Sequence, residues 1–132
     1  MGDVVRGVRL LEESRERGKE ICKASDTVGE EGFKFLILPE GEHGPFPSIL
    51  ARERGYNGVI YHYGHNLGVC RAPGCLYPDL RLLESKLPGW FIHWGGYLAC
   101  WGSRKHRAET PPPGNSPKTP LDLWEVLQRT YK

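Results

Sequence analysis

Residues 56–68 read Tyr-Asn-Gly-Val-Ile-Tyr-His-Tyr-Gly-His-Asn-Leu-Gly. A β-branched and aromatic run suits a pleated, half-buried surface, so residues 58–64 read as a strand. Period two then puts Val59, Tyr61 and Tyr63 on one face and Ile60, His62 and Gly64 on the other, fixing an imidazole on a sheet. Two further stretches read the same way. Phe33-Lys34-Phe35-Leu36-Ile37-Leu38 places Phe33, Phe35 and Ile37 on one face and is stopped by Pro39-Glu40-Gly41. The apolar, aromatic run from Trp90 to Trp101 reads as a third, central strand, with His93 and Trp94 facing opposite ways.

Helical spacing fills the intervals. Val4, Val8 and Leu11, with Glu13 four residues before Arg17, predict an amphipathic helix over residues 4–23, weakest at Gly18. Residues 48–54 give two turns closed by Gly55. Pro78-Asp79 opens a short helix carrying Leu80, Leu83 and Leu87, and Pro88-Gly89 ends it. Residues 69–77 read as a turn-rich loop. Past residue 103 the composition shifts, with Arg104-Lys105-His106-Arg107 basic and residues 110–120 rich in proline. Thr119-Pro120-Leu121-Asp122 then supplies an N-cap, a proline at N1 and an acid at N3, ahead of the stripe Leu123, Trp124, Leu127 and Tyr131. The expected organisation is a compact domain over 1–103, a basic and proline-rich linker over 104–120, and a C-terminal helix over 121–132. That helix either docks on the core or presents Trp124 and Leu127 to a protein partner. The expected fold is α+β, a small sheet of about three mainly antiparallel strands with helices on one face.

Composition narrows the function. With 132 residues, 39% hydrophobic and 26% charged, the chain suits one globular core. A net charge of +2 is too small for association driven by phosphate attraction alone. Arg104, Lys105 and Arg107 are the candidates for contacting a partner or a phosphate, and the same basic run reads as a nuclear-entry signal. No apolar run is long enough for a signal peptide or a membrane span, which gives a cytoplasmic expectation, and four cysteines there are thiols or ligands rather than disulfides.

Two chemistries compete for His62. His62, His65, Cys70 and Cys75 have the intervals of a zinc knuckle in a different ligand order, and glycines at 64, 68 and 74 would let the backbone wrap a metal. In that reading zinc is structural, and Arg71, Arg81 and Arg104 supply charge for RNA or protein binding. The other reading keeps the strand. His62-Tyr63-Gly64-His65-Asn66-Leu67-Gly68 resembles the H-box of the lecithin:retinol acyltransferase-like family, which includes phospholipid acyltransferases and picornaviral 2A proteins of the H-box/NC type. The resemblance implies that His62 is the base of a thiol-dependent acyltransferase needing no cofactor, with His93 orienting it and Cys100 as the thiol. The family pairs its H-box with Asn-Cys at a helix start. This chain has no Asn-Cys, and Ala99-Cys100 is the nearest equivalent. The resemblance therefore points to an acyltransferase-like viral non-structural protein that acts by binding host or viral partners rather than by catalysis.

Overall fold

A computed structural model describes residues 2–93, 95–103 and 105–131. The elements in chain order are α1 (Gly2–Ala24), β1 (Asp26–Glu30), β2 (Phe33–Ile37), α2 (Phe46–Glu53), β3 (Gly58–Tyr63), β4 (Asn66–Arg71), a 3-10 turn (Leu80–Leu83), β5 (Phe91–Ile92), β6 (Leu98–Trp101) and α3 (Pro120–Tyr131). The class is α+β, but the sheet has six strands rather than three, in the order β1-β2-β3-β4-β6-β5. Only β2 and β3 run parallel, joined by the α2 crossover; the other neighbours are antiparallel.

Three strands escape the sequence reading for physical reasons. β1 is a polar edge strand, Asp-Thr-Val-Gly-Glu, with little apolar content to betray it. β4 occupies the segment read mostly as loop, because Asn66, Gly68 and Cys70 carry weak strand propensity, yet it pairs with β3 along its whole length. The Trp90–Trp101 run is a tight hairpin of two short strands at the sheet's edge, not one central strand, because Gly95-Gly96 reverses the chain. Gly96, at φ +71°, holds the reversal, and its amide donates to the His93 carbonyl at 2.8 Å.

Helices cover both faces of the sheet, which corrects the one-face expectation. The cause lies in β2: Phe33, Phe35 and Ile37 bury on one side while Leu36 and the following Leu38 bury on the other, so both sides need a cover. On the first side, Phe33, Phe35, Ile60, Leu67, Val69 and Ala99 pack with Leu80, Leu83, Leu87 and the α3 stripe. On the second, Leu36, Leu38 and Val59 pack with Cys22 of α1 and Leu50 and Ala51 of α2.

The C-terminal helix belongs to the core. Leu123 and Leu127 are fully buried, Trp124 is 7% exposed, and the Trp124 ring stacks on Phe33 with centroids 5.4 Å apart. Trp124 and Leu127 are thus correctly read as an apolar stripe, but they are not a partner-binding surface: the stripe is spent on the chain's own sheet. The stretch leading to α3 is tied down too. Trp101 Nε1 donates to the Thr110 carbonyl at 2.9 Å, and Pro112 and Pro117 are buried. Trp124→Ala should cost about 3–5 kcal/mol, the usual range for removing a large buried aromatic. Urea unfolding followed by far-ultraviolet circular dichroism measures this; a loss under about 1 kcal/mol would mean that α3 is not integral to the core.

Candidate functional site: the uncovered half of the sheet

The β3–β4 hairpin turns through Gly64-His65, with Tyr63 paired to Asn66 and Gly64 at φ +55°. That register settles every side chain on both strands. Tyr61 pairs with Gly68, and Gly68 with Cys100 of β6; His62 pairs with Leu67, and Leu67 with Trp101. Directly paired residues share a face, so Tyr61, Tyr63, Cys70 and Cys100 lie on the side of α1 and α2, and His62 lies on the α3 side.

The candidate triad of His62, His93 and Cys100 is therefore not assembled. His62 and Cys100 leave opposite faces of the sheet. His93 follows β5, separated from β3 by the two strands β4 and β6, and touches Phe91 and Tyr97 instead, at ring-centroid distances of 4.8 and 4.7 Å. Cys100 is buried beneath Tyr61, whose hydroxyl donates to its sulfur. Burial pushes the Cys100 thiol up, and the Tyr61 hydrogen bond offsets only part of that. Burial also raises Cys70, to about 11, and Tyr61, so all three stay protonated and uncharged at neutral pH.

The zinc candidates are likewise dispersed. Cys70 lies opposite Val59, on the other face from His62; His65 is exposed in the hairpin turn; and Cys75 donates from its sulfur to the Tyr77 carbonyl at 3.1 Å in the following loop. Among the described residues no three His, Cys, Asp or Glu side chains are grouped to hold a metal ion. The cations of that reading have structural work: Arg71 donates to the carbonyls of Leu76, Pro78 and Gly95, and Arg81 forks onto Asp79. The Arg81 hydrogen bond holds the Asp79 carboxyl down near 2. Arg104 and Trp94 lie outside the described residues.

The arrangement that does converge is the open part of the α1/α2 face. Those helices pack over β2 and β3, and beyond β3 the described residues place no helix on that side. At the far edge Phe91, His93 and Tyr97 form a continuous aromatic surface, with Phe91 56% and Tyr97 45% exposed and Tyr97 Oη 3.3 Å from His93 Nδ1. The basic segment folds back beside it. Asn66 Oδ1 accepts from the Ala108 amide at 2.7 Å and Asn66 Nδ2 donates to the Ser103 carbonyl at 3.3 Å, pinning the ends of the segment. His106 shares a surface recess with Phe91, and Lys105 is exposed. The Arg107 guanidinium lies over the Tyr63 ring, 5.6 Å from its centre, and pairs with Glu42 at 3.3 Å.

Nearer α2, a cavity of about 490 Å³ is floored by Val59, Tyr61, Cys70 and Leu98 and walled by His43 of the 41–45 loop and Ser48 in the first turn of α2. The available signal was the alternation of Tyr61 and Tyr63, two amphipathic rings on one strand face. No family model, no curated protein and no solved structure matches this chain, so its chemistry rests on the geometry above.

Gly68 is what lets Tyr61 lie across β4, since a Cβ there would overlap the tyrosine hydroxyl. Gly68→Ala should cost about 1–3 kcal/mol through displacement of the ring, measured by chemical denaturation; an unchanged midpoint would show that Tyr61 does not need the gap. Cys70 ionises near 9 when unfolded and near 11 when folded, so its contribution to stability is fully present below pH 9 and lost as pH rises to 11. Cys70→Ala should flatten the alkaline limb of a stability–pH profile by roughly 2 kcal/mol, and an unaltered limb would exclude Cys70 as its source.

Proposed function

We propose that this protein is a binding module whose open sheet face takes single-stranded nucleic acid. The observation that carries this is the exposed Phe91–His93–Tyr97 surface with His106 beside Phe91 and the exposed Lys105 next to it in the chain. Unpaired bases stack on such rings irrespective of sequence, at about 1–3 kcal/mol per base, and neighbouring cations hold the phosphates. A sheet face bearing aromatics and no helical cover leaves room for extended strands where a duplex would not fit between the rings. The net charge of +2 fits a mode in which stacking outweighs phosphate contact. The acyltransferase-like reading needs His62 and a thiol to work together; the open-face reading uses neither.

The test is fluorescence anisotropy with a labelled single-stranded oligouridylate and the matching duplex RNA. The expected result is preference for the single strand, a loss of about tenfold or more in Phe91→Ala or Tyr97→Ala, and a salt slope shallower by about one in Lys105→Ala. Both aromatics are surface residues, so the variants should keep the native circular dichroism spectrum. No binding, equal affinity for duplex, or full affinity in the double aromatic variant would overturn the proposal. So would a concentration-dependent dimer that buries the same rings.

A further inference from the structure

The cavity between β3–β4, the 41–45 loop and the start of α2 is separate from the Phe91–Tyr97 surface, and one polar atom in its wall has no structural explanation. The Tyr63 hydroxyl is shut off from solvent and has no hydrogen-bond partner among the described residues. Leaving a hydroxyl buried and unsatisfied costs about 1–3 kcal/mol, a cost that sequence variation removes readily by using phenylalanine. The same wall holds hydrogen-bonding groups of both senses. His43 Nε2 lies 2.8 Å from the Pro39 carbonyl, which can only accept, so Nε2 is the donor there and Nδ1 is the ring atom left for a ligand, an acceptor in the tautomer this bond selects. Ser48 donates its hydroxyl to the Pro45 carbonyl at 2.9 Å, keeping lone pairs for an incoming donor.

Between these groups the floor is apolar or uncharged: Leu38, Val59 and Leu98, with Cys70 and Tyr61 protonated by burial. The carboxylate on the rim, Glu42, is paired with Arg107, whose guanidinium covers the Tyr63 ring. The cation nearest Tyr63, Arg107, is already paired with Glu42, so an anionic carboxylate would have to lose its hydration and displace a like carboxylate, whereas a neutral ring loses little. The volume admits a molecule of one to two rings.

We propose that this cavity is a binding site for a small uncharged planar lactam or cyclic amide, its carbonyl accepting from Tyr63 Oη and its ring N–H donating toward His43 Nδ1 or Ser48 Oγ. Arg107 and Glu42 form the gate over Tyr63. Both are solvent-exposed, and such a pair is worth about 0–1 kcal/mol, so it parts at little cost when the ligand enters.

The test uses 2-pyridone as the probe, with phenol and benzoate as controls, followed by amide chemical shifts in the 15N-labelled protein. The expected result is saturable shifts at Tyr61, Tyr63 and Cys70 at about millimolar 2-pyridone, in line with the affinity a fragment of that size can reach. Phenol, which lacks the carbonyl, and benzoate, which is charged, should each bind about tenfold more weakly or worse. Tyr63→Phe should bind 2-pyridone about tenfold more weakly while unfolding at an equal or higher urea concentration, because it removes the orphaned hydroxyl. Leu98→Trp, which fills the floor, should abolish the shifts. Equal binding of all three probes, undiminished binding in Tyr63→Phe, shifts outside the cavity, or no shifts at all would each overturn the proposal. Oligouridylate binding at the aromatic surface should persist in both variants, so the two sites stand or fall separately.

Discussion

The register of one hairpin decides what this molecule presents and what it hides. Because side chains alternate along a strand, pairing Tyr63 with Asn66 across the Gly64-His65 turn sends Tyr61 and Tyr63 to one face and His62 to the other. A slip of one residue would reverse every assignment. It would bury Cys70 and Cys100 against α3 and turn Leu67 and Val69, both of which belong to the main core, toward the open side. The cost of exposing that cluster holds the register, and the Tyr61 ring, seated over Gly68 and bonded to Cys100, locks it from the opposite face. The separation of His62 from the thiols is thus a consequence of core packing.

The uncovered part of the sheet follows from the same arithmetic of faces. Three helices are available, and α3 is committed to the Phe33, Phe35 and Leu67 side. The other two reach the sheet from the same direction, α1 leading into β1 and α2 bridging the parallel pair β2 and β3, so their cover ends where that pair ends. β4 follows β3 through a hairpin, and the one helical turn on the way to β5 and β6, Leu80–Leu83, packs on the α3 side and leaves this face open. Nature's usual remedy for such a face is polar side chains. Here it carries tyrosines, a histidine and a phenylalanine, residues that combine a flat apolar body with, in most cases, a polar tip.

The parts of the fold legible in the sequence were those where one residue type dominates a period. Residues 33–38 and 58–64 announce strands through β-branched and aromatic content, and the stripe from Leu123 to Tyr131 announces a helix together with its N-cap: the Asp122 amide donates to Thr119 Oγ1, at 3.1 Å. What stayed hidden depends on partners distant in sequence. β4 is a strand because β3 and β6 flank it, not because Gly68 or Cys70 favours one. Asn66, which read as part of a motif around His62, serves instead as the clamp on residues 103–108. His43 sits in a loop whose glycines and prolines mask any pattern, Ser48 in the first turn of α2, and only the fold brings them to Tyr63.

The basic segment links the two binding regions. His106 borders the aromatic surface, with the exposed Lys105 next to it in the chain, whereas Arg107 lies on Tyr63 and Glu42. A strand of nucleic acid drawing on the first two would add negative phosphate near Arg107 and compete with Glu42 for it, because a phosphate group is the stronger partner for a guanidinium. If both proposed sites bind, occupation of the aromatic surface would loosen the gate over Tyr63, and the coupling would be reciprocal by thermodynamic necessity: a ligand in the cavity that parts Arg107 from Glu42 would free that cation for the strand outside. Its size is bounded by the worth of the exposed ion pair, about 1 kcal/mol or a few-fold in affinity, so the two sites sense each other without either depending on the other.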